Sequence, residues 1–180
     1  MKSGHLKFGN QSFVLEDAVI YGIFEKYGQM SWYIELFPEG EENYMIFNAL
    51  LFENIINPKG LNQVQVQVRN KQVELHEHKV MVNDEEYTLQ RLQLSFGNWD
   101  QAIGTISVQG EGKIERYYSN KSLDCSFEAV CSFDGIRLFD TNEEEVDSFI
   151  VNLLKTDREA LNLRFEEAPM GLECVIDGQF

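Results

Sequence analysis

The chain has few of the residues that mark disulfide-bonded or loosely ordered proteins. Its 180 residues include three Pro and three Cys, the latter at positions 125, 131 and 174. An odd number of cysteines with no CxxC pair argues against a disulfide framework, and a domain of this size does not need one. We therefore expect three free thiols that pack as small apolar side chains.

Long apolar runs and a secretory signal are also missing. The segment Met1 to Phe8 lacks the apolar stretch of a signal peptide, and runs such as 49–52 are far shorter than the roughly 20 residues that span a bilayer. We expect a cytoplasmic protein that makes no membrane contact. A secreted chain whose signal has been removed is the alternative.

Positive charge is scarce. Lys and Arg number 15 against 30 Asp and Glu, so the formal net charge is −15. Nucleic acid and anionic membrane surfaces both require a positive patch, which excludes them as expected partners. A basic protein surface or a metal cation suits this charge better, although an acidic surface also serves solubility alone.

What the chain does contain is the alternating pattern of β-strands. A hydrophobic content of 43% and 13 Phe are enough for one core, so we expect a single domain over 1–180. The clearest strand has Val64, Val66 and Val68 on one face and glutamines on the other. This alternation predicts a strand with one side on the core and the other in water.

Two glycine-containing segments predict hairpins. Apolar residues alternate from Leu123 to Phe133, and Asp134-Gly135 then suits a two-residue type I′ turn. That turn would pair Phe133 with Ile136 and present apolar residues of both strands to the same side. In the same way, Gly110-Glu111-Gly112 predicts a hairpin between Val108 and Ile114.

One helix is predicted over about 142–154. Thr141 lies three residues before Glu144, the spacing of a capping box. The apolar residues that follow recur at helical spacing and form one stripe: Val146, Phe149, Ile150, Leu153 and Leu154. With roughly ten strands, too many for one flat sheet, the sequence predicts a mainly β fold: an antiparallel β-sandwich or barrel with this single helix near its C-terminus.

One cluster could bind a metal ion. His76 and His78 would share a face of a predicted strand with Glu74, so two imidazoles and a carboxylate could converge on zinc or another divalent cation. The alternative is a solvated strand face without cofactor.

Aromatic residues mark the candidate ligand or partner site. Trp99 falls in a loop-like segment, and adjacent Tyr117 and Tyr118 on a strand would have to point to opposite sides. Exposed Trp and Tyr side chains suit protein interfaces or sugar stacking. For Trp99 the alternative is that its indole closes one end of the fold.

Motifs of nucleophilic catalysis and phosphate binding are absent, so no catalytic residue is assigned. The leading hypothesis is a non-enzymatic cytoplasmic module that binds a protein with a basic surface. An acidic inhibitor or immunity-like protein is one form of it, by analogy of charge and size alone. The alternatives are a sandwich or barrel holding a small hydrophobic ligand or glycan and, third, a metal-dependent or carboxylate-based enzyme.

Overall fold

The computed structural model of the chain describes residues 3–24, 29–40, 42–69, 78–119, 121–139, 143–154, 158–168 and 171–178. Within these ranges eleven strands belong to one hydrogen-bonded sheet, which confirms the mainly β prediction. The strands are β1 (Gly4–Phe8), β2 (Gln11–Phe24), β3 (Met30–Pro38), β4 (Tyr44–Leu51), β5 (Gln65–Val68), β6 (Lys79–Val82), β7 (Glu85–Asp100), β8 (Thr105–Arg116), β9 (Ser122–Phe139), β10 (Leu161–Ala168) and β11 (Gly171–Gly178).

The sheet closes on itself through β1. This short strand pairs antiparallel with β2 on one side and with β9 on the other, so that β1 to β4 and β6 to β9 form a ring. Past the point where β1 ends, strands β2 and β9 pair directly with each other and run parallel. β11 and β10 extend the sheet from the other edge of β9. The fold is therefore barrel-like.

Aromatic side chains from opposite walls meet inside the ring. Phe47 of β4 and Phe127 of β9 are both buried, and their ring centroids lie 5.7 Å apart. β4 and β9 are four strands apart in a ring of eight, so this contact crosses the interior. Trp32 of β3 and Phe133 of β9 make a second aromatic contact, at 6.4 Å, across the intervening strand β2. The interior is filled by side chains at the level of Phe47 and Phe127.

The hairpin predicted at Asp134-Gly135 is wrong, because β9 runs through these residues as one strand. Gly135 has φ +88°, and the pairing with β2 shifts so that Asp134 and Gly135 together lie opposite Tyr21. This is a β-bulge, which uses the same permissive backbone that a type I′ turn requires. The extra residue of the bulge shifts the alternation by one position, so Ile136 is buried like Phe127 and Cys131 before it.

The hairpin predicted at Gly110-Glu111-Gly112 is also wrong, since β8 is continuous from Thr105 to Arg116. A Cβ atom at Gly110 would lie 2.2 Å from Cε1 of Phe127, and one at Gly112 would lie 2.1 Å from the carbonyl oxygen of Arg91. These glycines allow neighbouring strands to approach closely; they do not reverse the chain.

The helix confirms the predicted apolar stripe. α1 (Glu143–Phe149) continues as a π-helical turn over Ile150–Leu154. Val146, Phe149, Ile150 and Leu154 are buried, and the Phe149 ring packs 4.5 Å from that of Phe24 at the end of β2. Thr141, the predicted N-cap, lies outside the described residues.

Candidate functional site

Tyr117 and Tyr118 form an aromatic tip in the turn between β8 and β9. Tyr118 is 96% exposed and Tyr117 is 43% exposed, with their rings edge to face at 4.4 Å. The backbone of Tyr118 has φ +61°, in the left-handed region. A bulky residue there carries about 1–2 kcal/mol of strain, because its Cβ crowds the next carbonyl oxygen.

Hydrogen bonds and an ion pair hold the backbone of this tip. The Tyr117 N–H donates to the carbonyl oxygen of Glu86 at 2.9 Å, and the Ser119 N–H donates to that of Arg116 at 3.1 Å. The Arg116 guanidinium lies 2.6 Å from a carboxylate oxygen of Glu85. The exposed tyrosines therefore extend from an anchored turn.

A recess of about 310 Å³ lies beside the tip. Three turns lie around it, at residues 9–10, 83–84 and 117–119, and Lys121 also lines it; we call this part of the molecule the turn end. Phe8, Tyr87 and Leu123 form its apolar floor, while Asn83 and Lys121 stand on its sides. The recess is smaller than most drug-sized pockets and suits a single side chain.

Acidic residues predominate at the turn end. Four acidic residues are near the tip, compared with two basic ones: Asp84, Glu85, Glu86 and Glu115, and Arg116 and Lys121. Arg116 is paired with Glu85, which leaves the remaining carboxylates to set the sign of the local field. An approaching cation would be attracted to this end at low ionic strength.

Trp99 is not part of the turn end. Trp99 pairs with Ile106, whereas Tyr87 pairs with Arg116, so roughly 30 Å of strand separates the indole from the tyrosine tip. The indole packs edge to face on Phe133 at 5.7 Å and is half-buried. Its Nε1 is buried and has no hydrogen-bond partner among the described residues. The structure places Trp99 on strand β7, not in the predicted loop, with its indole against the core at the opposite end.

Of the three predicted metal ligands, the structure describes only His78. Glu74 and His76 lie outside the described residues. Nδ1 of His78 accepts a hydrogen bond from the Asn48 N–H at 3.2 Å, and burial lowers the pKa of this imidazole to about 4. Within the described ranges no three His, Cys, Asp or Glu side chains are grouped to hold a metal ion. The zinc site thus remains a prediction.

The three cysteines are free and buried, as expected. Burial raises the pKa of the Cys125 and Cys131 thiols to about 12 and that of Cys174 to about 11. Because the thiolate is the nucleophilic form, these side chains are poor nucleophiles at neutral pH.

A charged network on the outer wall had no signal in the sequence. Arg137 lies 4.5 Å above the Tyr21 ring, 2.5 Å from Asp134 and 3.6 Å from Glu173. The Tyr21 hydroxyl donates to Glu35 at 2.9 Å, and burial, followed by the charge of Glu35, raises the pKa of this phenol. These residues come from four strands, β2, β3, β9 and β11, so only the fold brings them together.

Comparison with known proteins gives no relative for this chain: no family model, no curated protein and no solved structure matches it. In the described part of the chain, no helix has both the length and the apolar character needed to cross a membrane.

Proposed function

We propose that this chain is a non-enzymatic cytoplasmic module that binds a protein with a basic surface through its turn end. The observation that carries the proposal is Tyr118, which is almost fully exposed on a left-handed backbone. Exposure of a large aromatic ring and backbone strain both raise the free energy of the folded chain. Strain of this kind is concentrated at functional sites, and Tyr is enriched among residues that dominate binding energy.

The surroundings of Tyr118 support a protein partner. The ring would enter a pocket of the partner, while the recess bounded by Asn83 and Lys121 would receive a partner side chain in return. Such mutual insertion is the usual arrangement of energetically dominant interface residues. Asp84, Glu86 and Glu115 would attract a basic surface and increase the association rate.

The test begins with photo-crosslinking. A benzophenone amino acid placed at position 118 should crosslink one basic protein in cells, and the same probe at Ile103 is the matched control. Ile103 is 68% exposed in the turn between β7 and β8, at the opposite end. The purified partner is then titrated against the unlabelled protein.

Tyr118→Ala should weaken binding of that partner by tenfold or more, corresponding to at least about 1.4 kcal/mol, whereas Ile103→Ala should leave it unchanged. The association rate should fall with added salt, because the attraction is electrostatic. Equal loss of affinity in both variants, or no crosslink specific to position 118, would refute the proposal.

A further inference from the structure

A second and larger recess, of about 770 Å³, lies on the outer wall of the barrel. It spans β1, the start of β2, and the middle of β7, β8 and β9, and β8 crosses it at Gly110. The turn end is formed by different residues. This recess, which we call the polar wall, therefore needs an explanation independent of the tyrosine tip.

Strand register arranges the side chains of the polar wall in two rows. Neighbouring strands lie about 4.8 Å apart, so each row presents a polar group at that interval. One row contains Lys7, Ser126, Glu111 and Gln93, and the other contains His5, Glu128, Gln109 and Ser95. β5 extends the rows with Gln67 and Gln65.

The side chains of the polar wall do not bond to one another. Among the described residues, the eight members of the two rows on β1, β7, β8 and β9 make no side-chain hydrogen bond or ion pair. Elsewhere on the surface polar side chains do pair, as Gln90 with Glu115 at 2.6 Å and Gln63 with Asn98 at 2.9 Å. The donors and acceptors of the polar wall therefore point to solvent and are free to meet a ligand.

The chemistry of the polar wall differs from that of the whole chain. The protein carries a net charge of −15, whereas four of the eight row members that line the recess are amides or hydroxyls, and Lys7, Glu111 and Glu128 together give the eight a net charge of only −1. An amide both donates and accepts, and so does a hydroxyl. A ligand that satisfies such groups must itself offer many paired donors and acceptors without strong charge.

We propose that the polar wall binds a neutral oligosaccharide. Each sugar hydroxyl donates and accepts, so successive sugar units can bond to amides and hydroxyls on successive strands. Removing water from neutral groups costs far less than removing it from ions, which favours a neutral sugar over a charged one on this surface. The proposal goes beyond the protein-binding function and does not depend on it.

The experiment follows the side-chain amide NMR signals of Gln93 and Gln109 in the full chain. Maltohexaose, cellohexaose and N-acetylchitohexaose are titrated separately to millimolar concentration. At least one of them should shift both signals saturably, while the side-chain amide of Gln101, in the turn between β7 and β8, stays unchanged.

The double variant Gln93→Ala/Gln109→Ala should bind that hexasaccharide with about tenfold lower affinity, because two hydrogen bonds are lost. Ser126→Leu should block it by filling the centre of the recess, and Gln101→Ala should bind like the unmodified protein. Tyr118→Ala should also bind it normally, which separates this proposal from the protein-binding one.

Three results would overturn the proposal. The first is that none of the three hexasaccharides shifts the Gln93 and Gln109 signals. The second is that binding persists undiminished in the double variant. The third is that these signals shift with protein concentration in the absence of sugar, which would assign the polar wall to contact between two copies of the chain.

Discussion

The ring of Phe127 occupies the space that a side chain at Gly110 would fill. Gly110 lies on β8 and Phe127 on the neighbouring β9, and a Cβ atom on the glycine would come within 2.2 Å of the ring. The ring has little room to retreat, since Phe47 of the opposite wall stands 5.7 Å away. A glycine in the middle of a strand, normally unfavourable, is here a packing requirement.

Gly110→Ala should lower the free energy of unfolding by about 1–3 kcal/mol, because the added methyl group overpacks the core. Urea denaturation measures this change. In a Phe127→Leu background the same substitution should cost clearly less, since the smaller side chain leaves space for the methyl group. Equal costs in the two backgrounds would show that Gly110 is needed for another reason.

Tyr118→Gly should stabilise the fold while impairing partner binding. Glycine adopts φ +61° without strain, so the free energy of unfolding should rise by about 0.5–1 kcal/mol. Tyr118→Ala retains the left-handed strain and should show no such gain. Thermal unfolding compares the two, and a loss of stability in Tyr118→Gly would mean that the ring supports the turn itself.

His78 should make folding sensitive to mild acid. Its folded pKa of about 4 lies below the unfolded value of 6.5, so the unfolded chain binds more protons between these values. The contribution of His78 to the free energy of unfolding is complete above pH 6.5 and is lost as the pH falls towards 4. By pH 5 about 2 kcal/mol of it has been lost.

His78→Asn should reduce this pH dependence, because the amide oxygen can still accept from the Asn48 N–H but does not titrate. Urea denaturation at pH 7 and pH 5 gives the difference for each variant. His5, whose side chain on β1 is exposed, gives the control: His5→Gln should behave like the unmodified chain. If His78→Asn loses as much stability between pH 7 and pH 5 as the unmodified chain, the pH dependence does not come from His78.

Arg137 should matter to stability through Glu173, a residue that is only 9% exposed. Arg137→Met removes the nearby positive charge and should cost about 2 kcal/mol, a value reduced by the partial exposure of the arginine. Adding Glu173→Gln should recover part of the loss, since the buried charge is then gone. Additive effects in chemical denaturation would show that the two residues act independently.

The buried faces of the strands and the helix could be read from local alternation. The valines of the segment 64–68 face inward or are half-buried while Gln65 and Gln67 are exposed, and the stripe from Val146 to Leu154 packs on the core. Side-chain direction repeats every two residues in a strand and every 3.6 in a helix, so this information is local. Tyr118 is exposed, but both tyrosines lie in the turn after β8 and not on a strand as expected, and the backbone strain of Tyr118 had no signal in the sequence.

The polar wall illustrates what local alternation leaves out. The sequence shows outward-facing glutamines on β5, yet the two rows unite residues of β1, β7, β8 and β9 that are far apart in the chain. Which outward faces become neighbours depends on the closure of the ring through β1. That closure is a contact between distant segments and leaves no pattern in either strand alone.

The sequence by itself determined the mainly β class, the acidic charge, the buried thiols and the helix with its apolar stripe. Only the tertiary structure decided that Asp134-Gly135 bends a continuous strand instead of reversing it. A positive φ at Gly135 serves a type I′ turn and a bulge equally well. The outcome depends on β2 and β11, which pair with β9 beyond this point and satisfy its backbone hydrogen bonds. Those partners lie more than a hundred residues before the bulge and some forty after it, beyond the reach of any local pattern.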